Sequence, residues 1–524
     1  MAPHRFRPAA HAGHRLATLA VVTVAALGLA ACSGGGGGEP ETSDGGVLVY
    51  GLDSDVPNLV TPQNQGAASM ILNAALHRGL VQYDADGQIV PALAETWEDE
   101  NEQTFTFHLR EGLTFHDGSD LTSEDVKATL EYIADPDNSA KLRGAASGIS
   151  AIETPDDTTV EIELATPDAA FLSFLADVSG AVLPSESLGQ EGPTYVGAGP
   201  FQYVSYEQGS SFVVEAFDDF YDASDVPLDG IEFQIIADQT ARDNALLSGS
   251  VDVVSFVGWN SYDQVEQNDS LVLDRTEGPF MYLQFNTTPD SPFADPLVRQ
   301  AVAYAVDRQG VIDSALSGQG EPLQGMPIPE NSEYFNADYS DYYEQDLDRA
   351  RELLADAGYP DGFTATMLSS SQYDFHENTA ISVQADLAQI GIELEMNLPD
   401  WPTRLELGAA GDYDIAVYGT SGLTNDPAFL AEILTPVGRQ NAPFGYDDTT
   451  VNDLLAKGRA TTDVAERKAV YDELSEYVLE QAPIVTLAWR AQAFGYTTDV
   501  SGFSNIPGFL TFDSGYTLAT TSIQ

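Results

Sequence analysis

A chain of 524 residues with 82 acidic against 21 basic side chains, formal net charge −61, repels nucleic acid and anionic lipid, and its body is not built to bind either. The length exceeds what one hydrophobic core supports, so two or three lobes are expected. A single cysteine excludes an intrachain disulfide, and the even spread of acids reads as a hydrated outer surface suited to a salty or acidic medium.

The N-terminus carries Arg5, Arg7 and Arg15 without acids, and residues 16–31 are apolar apart from Thr18, Thr23 and Gly28. That apolar stretch is too short to span a bilayer, so residues 1–31 are expected to be a signal peptide. Leu29-Ala30-Ala31-Cys32 reads as a lipobox, with cleavage before Cys32 and diacylglycerol on its sulfur. Several acyl chains at about 0.8 kcal/mol per buried methylene would anchor it firmly. Residues 32–46, with glycines from Gly34 to Gly38, form a flexible tether. No Lys-Ser/Thr follows them, so they are not a phosphate loop.

Residues 47–51 are predicted to be the first strand, and residues 53–62 a loop. Residues 81–83 and 88–90 flank Asp86-Gly87, a hairpin turn signal. Phe105, Phe107 and Leu109 alternate with Thr104, Thr106 and His108, the period of a half-buried strand. Thr122 stands three residues before Asp125, a capping-box spacing, ahead of a helix with Val126, Leu130 and Ile133 on one face. Val160, Ile162 and Leu164 alternate as another strand, and Gly197 and Gly199 suggest a turn. Residues 240–247 read as a short helix and 282–286 as a strand. Asp295 and Pro296 are cap and first residue of a helix bearing Val298, Val302 and Ala305. Leu347, Ala350, Leu354 and Ala357 form a helical stripe closed by Gly358 and Pro360. Residues 463–482 form an amphipathic helix, and Pro483 leads into a strand at 484–487.

Several of these stretches together carry a resemblance. Gly79-Leu80-Val81, Pro91 to Glu95, Trp97, Phe107 to Arg110, Phe115 to Gly118 and Asp125-Val126 occur in one ordered run. Val196 to Phe201 follows, with Ala198 where a threonine is usual, then Gly249 to Val253, Val298 to Ala301, Asp307-Arg308 and residues 350–362. The chain resembles the peptide-binding class of bacterial solute-binding proteins, family 5 (the peptide/nickel type), receptor subunits of ABC importers. The resemblance implies an α/β, two-lobed, periplasmic-binding-protein-like clamshell of the type II (cluster C) kind, with an extra small α/β lobe. Lobe I would combine residues 47–80, 197–286 and 485–524; the extra lobe would be 81–196 and lobe II 287–484. Crossovers are expected near Asn286 and Ile484. It further implies a small-molecule or peptide ligand, permease and ATPase partners, no enzymatic activity, and a monomer lipid-anchored on the outer face of the cell membrane.

No Gly-x-Ser-x-Gly elbow, Walker A loop or His-Glu-x-x-His occurs, so no catalytic, metal or cofactor site is expected. Asp84 to Gly87 starts like a calcium loop but lacks its later ligands, and reads as a turn. Asp374, His376 and Glu377 read as a solvated loop. The resemblance instead places ligand contacts at Trp401 and along the segment from Tyr413 to Pro427; the loop after residues 249–253 carries two more aromatics, Trp259 and Tyr262. The candidates are Trp259, Tyr262, Trp401, Tyr418, Thr420, Asn425 and Asp426. In oligopeptide receptors, arginines and an aspartate that clamp peptide ends would fall on Gly408, Val417 and Leu423 here, and a tryptophan on Thr420. A neutral or cationic ligand is therefore expected, with aromatic walls and Asp426 facing a cation or hydroxyl. The fold also serves sugars, opines and metal chelates; a secreted hydrolase or an adhesin is the reading from another class.

Overall fold

A computed structural model describes residues 45–524 except 57–58, 64–65, 412, 421–423, 437–440 and 442–444, with backbone alone at 401–402. Cys32 and its tether lie outside the described residues. The chain is mixed α/β around one eleven-stranded sheet. Its order runs Ile392–Asn397, Phe363–Leu368, Ile415–Thr420, Leu271–Phe285, Ile484–Thr497, Val253–Val254, Val47–Leu52, Gly230–Ile235, Ser211–Ala216 and Phe201–Glu207. Gly320–Pro322 pairs with Ile484–Thr497 off this path.

Two long strands join the halves of that sheet. Leu271–Phe285 and Ile484–Thr497 pair antiparallel from Leu271↔Thr497 to Gln284↔Ile484. At one end Phe280 to Phe285 pairs with Ile415–Thr420, and at the other Gly495 and Tyr496 pair with Val253–Val254. Each half thus has its own flanking strands and its own apolar core, the first around Tyr50, Phe233 and Phe494, the second around Phe285, Val302 and Leu474. The ladder between the long strands is irregular between Glu277 and Phe280. Asn286 and Ile484, where crossovers were expected, lie instead at the far end of the long ladder.

A separate four-stranded antiparallel sheet has the order Ala94–Glu100, Thr104–Leu109, Thr159–Leu164, Ile149–Asp156. Phe105 and Phe107 point inward with Val160, Ile162 and Leu164, while His108 is exposed. Helix Ser123–Ala134 begins with the expected capping box, Thr122 and Asp125 each bonding the other's backbone N–H. The 81–91 hairpin forms with Gly87 at φ 77°, and Asp84 Oδ1 accepts the N–H groups of Asp86 and Gln88 within the turn.

The glycines of the 196–201 stretch make no positive-φ turn. They permit close approach: a Cβ at Gly197 would lie 2.2 Å from His77 Nδ1, and one at Gly199 2.4 Å from the carbonyl carbon of Leu76. His116 closes the same contact. Its backbone N–H donates to Gly197 O at 2.8 Å, its Nδ1 accepts from Gly197 N at 3.2 Å, and its Nε2 meets Gly199 O at 3.1 Å. That pattern fits a neutral Nε2–H imidazole, and burial lowers its pKa accordingly. The stretches around 116 and 197 are therefore packing partners. Among the described residues no helix is long and apolar enough to cross a membrane.

Candidate functional site

The halves of the main sheet meet beside the irregular ladder, and an aromatic and basic cluster stands there. Trp259 opens the short 3-10 turn Trp259–Ser261 that follows strand Val253–Val254. Its Nε1 donates to Ala491 O at 2.8 Å, and its ring meets Phe375 edge-on at 6.0 Å. Phe375 belongs to helix Asp374–Ala388 of the other half, so the indole bridges the junction. The Arg490 guanidinium lies over the Phe375 ring at 5.0 Å. On the second half, Tyr418 stacks on Tyr282 at 5.6 Å, and Arg404 lies over Tyr418 at 3.9 Å. Arg404 also donates to Val417 O at 2.9 Å.

The predicted site residues divide. Trp259 and Tyr418 stand in this cluster. Thr420 ends strand Ile415–Thr420 opposite Phe280. Trp401 opens helix Trp401–Ala410, capped by Asp400; its side chain lies outside the described residues, as does Leu423. Tyr262 is 1% exposed, with its hydroxyl donating to Ala491 O, and belongs to a core with Leu246 and Val265. It offers no surface to a ligand. Asn425 is a clasp: its Nδ2 donates to Pro507 O at 3.1 Å, and its Oδ1 accepts from Phe509 N at 2.8 Å. Asp426 is occupied too. It forms a two-pronged pair with Arg467 at 2.6 and 2.8 Å and caps the next turn through Ala428 N at 2.8 Å. Arg467 is 2% exposed and also donates to Tyr334 and Tyr471. Burial pulls its pKa down, but Asp426 and the tyrosines more than offset that, leaving it raised. The expected cation acceptor is thus an internal ion-pair partner.

Two further expectations are overturned. Residues 374–377 are the first turn of helix Asp374–Ala388, and His376 is 3% exposed beside the cluster. Burial, then Arg490 and Arg404, push its pKa down to about 3, so it is neutral. Nor is an arginine missing near Gly408. A Cβ there would lie 3.3 Å from Arg404 Nη1, so the guanidinium one helical turn earlier reaches that space. Arg404 and Arg490 were missed because neither sits at a motif position. A basic residue inside an otherwise apolar strand run, as in Leu487-Ala488-Trp489-Arg490-Ala491, was the available signal.

Further contacts join segments distant in sequence away from this cluster. Asp168 pairs with Arg459, whose carbonyl accepts from Ala169 N at 2.8 Å. Ala428 packs with Ile133, Leu142 and Phe174. The described residues contain no group of three or more His, Cys, Asp or Glu arranged to hold a metal.

The model of the bacterial extracellular solute-binding proteins, family 5 Middle, matches residues 88–441. The glutathione-binding protein GsiB of Pectobacterium atrosepticum is 30% identical over 462 residues, 84% of this chain and 88% of that protein. GsiB of Escherichia coli K12 is 27% identical over 494 residues, 91% and 94% of the two chains. Among solved structures, the PBP AgaA of A. tumefacien R10, in complex with agropinic acid, superposes with a TM-score of 0.83 at 41% identity, covering 91% of this chain and 99% of that one. DppA of Helicobacter pylori with peptide STSA gives 0.78 at 26% identity, covering 91% and 98%.

Proposed function

Since the chain belongs to the bacterial extracellular solute-binding proteins of family 5, we propose that it is the substrate-binding lipoprotein of an ABC importer and captures an oligopeptide or peptide-like solute. The observation that carries this reading is the junction cluster. Trp259 from one half and Phe375 from the other meet at 6.0 Å beside the two strands that join the halves. A solute held there contacts both halves at once, so binding favours the closed arrangement. Lobe I is residues 47–80, 197–277 and 491–524, lobe II 280–489, and the extra lobe 81–196. The lobe boundaries lie further along the two long strands than expected because Phe280, Phe285, Val485 and Ala488 pack in the second core. We place the hinge at the irregular ladder around Glu277–Phe280, opposite Trp489–Ala491. The closed form is what the permease receives, and no bond in the solute is made or broken. Cys32 carries the lipid that keeps this monomer on the outer face of the cell membrane.

GsiB is named for glutathione, DppA was solved with a peptide and AgaA with agropinic acid. These names support a peptide-like ligand, and the 41% identity to AgaA favours a non-peptide opine-like acid as the second reading. Native mass spectrometry of gently purified protein tests the proposal. An intact peptide-like or opine-like solute, whose uptake is lost on deletion of the gene, is the expected result. Release of a chemically altered solute would point to a hydrolase, and unaffected uptake would argue against import.

A further inference from the structure

We propose that Arg490 is an anion seat in this site, taking a carboxylate or similar planar oxyanion of the solute. The proposal deepens the solute-binding reading and rests on it.

A guanidinium withdrawn from water needs acceptors, because the desolvation of an unpaired charge amounts to several kcal/mol. This chain meets that need in two ways elsewhere. Arg467 pairs with Asp426 and Arg459 with Asp168. Arg242, Arg299 and Arg308 donate to backbone carbonyls. Arg490 does neither among the described residues: its side chain makes no hydrogen bond or ion pair, and its buried Nε has no partner. Its one specific contact is the face of Phe375 at 5.0 Å, which leaves the in-plane N–H fork unused. In a chain with 82 acids against 21 bases, a structural arginine could readily have been given an acidic neighbour.

The surroundings reinforce the point. Burial lowers the Arg490 pKa only to about 10, so the charge persists at neutral pH. His376 beside it is neutral and cannot substitute for an anion. Arg404 brings a second guanidinium to the same neighbourhood over Tyr418. Arg490 also adjoins Ala491, whose carbonyl receives the Trp259 indole from the other half. A solute enclosed at the junction therefore meets the Arg490 fork, and a carboxylate matches its two parallel N–H donors.

The test uses agropinic acid and glutathione as probes, each beside its fully esterified form, titrated calorimetrically into wild-type protein and Arg490→Met. An acid that binds wild type should weaken about 10- to 150-fold in the variant, the range for losing a charge-assisted pair. Its ester should bind both proteins alike and weakly. If acid and ester bind wild type equally, or the acid binds both proteins equally, solute binding stands and the anion seat is wrong. A second readout needs no ligand. Removing an unpaired, half-buried charge should raise the Tm of the ligand-free protein by about 1 °C or more. If no probe binds, that measurement decides, and a fall in Tm means Arg490 is structural and overturns the proposal.

Discussion

Asp426→Ala separates a ligand contact from an internal strut. The Asp426 carboxylate accepts from Arg467 at 2.6 and 2.8 Å and from Ala428 N at 2.8 Å, with side chains only 9% and 3% exposed across the pair. Removing one partner of a buried pair costs about 3–5 kcal/mol, and losing an N-cap about 1 kcal/mol. Arg467 keeps three acceptors, Tyr334 Oη at 2.7 Å, Tyr471 Oη at 3.1 Å and Gly458 O at 2.7 Å, which favours the low end of that sum. We expect a loss of about 4 kcal/mol. Unfolding entropy near 2.1 cal/mol/K per residue gives roughly 1 kcal/mol/K for a cooperative unit of this size, so Tm should fall by about 4 °C. Thermal unfolding followed by circular dichroism reads this directly. The double variant Asp426→Ala with Arg467→Met should regain part of the loss, because no buried charge is left alone. An unchanged Tm together with abolished ligand binding would refute the reasoning and make Asp426 a ligand contact.

Further outcomes follow from other groups. Burial, then Glu321, raises the Glu277 carboxyl to about 7, so its folded form favours the proton and stability is lost as pH rises from the ordinary carboxylate range through 7. Glu277→Gln should therefore stabilise the protein at pH 8 but not at pH 4.5, by up to about 3 kcal/mol; a difference independent of pH would count against this. Asn425→Ala removes the bonds to Pro507 and Phe509, and should speed ligand release and enlarge the liganded radius in small-angle scattering; identical rates and radii would show that the clasp does not hold the halves. Cys32→Ser should abolish lipid labelling and release the protein into the medium, and continued acylation would refute the anchor.

The matched motifs and the junction cluster answer to different physical demands. Around residues 116 and 197, chemistry is subordinate to approach: glycines admit the helix end at Leu76 and His77, and His116 satisfies the freed backbone groups. Such a contact tolerates few substitutions whatever the ligand. Arg404 and Arg490 stand instead on aromatic faces at the junction, and a guanidinium can reach the same space from a different turn of helix.

The sequence alone determined what short-range physics controls. The alternation at Thr104–Leu109, the Thr122 and Asp125 box and the Asp295-Pro296 start all form where they are expected, because strand period and cap geometry are set by residues within a turn of each other. The strand read at 484–487 was cut short, since the structure continues it through Arg490 to Thr497. The crossing strand carries Arg490 into the junction. Only the tertiary structure decided which partner each polar group meets. Asp426 finds Arg467, Trp259 finds Ala491 and Phe375, and Arg404 fills the space beside Gly408. Those pairings depend on chain segments brought together by packing, and nothing in the local pattern of either partner specifies the other.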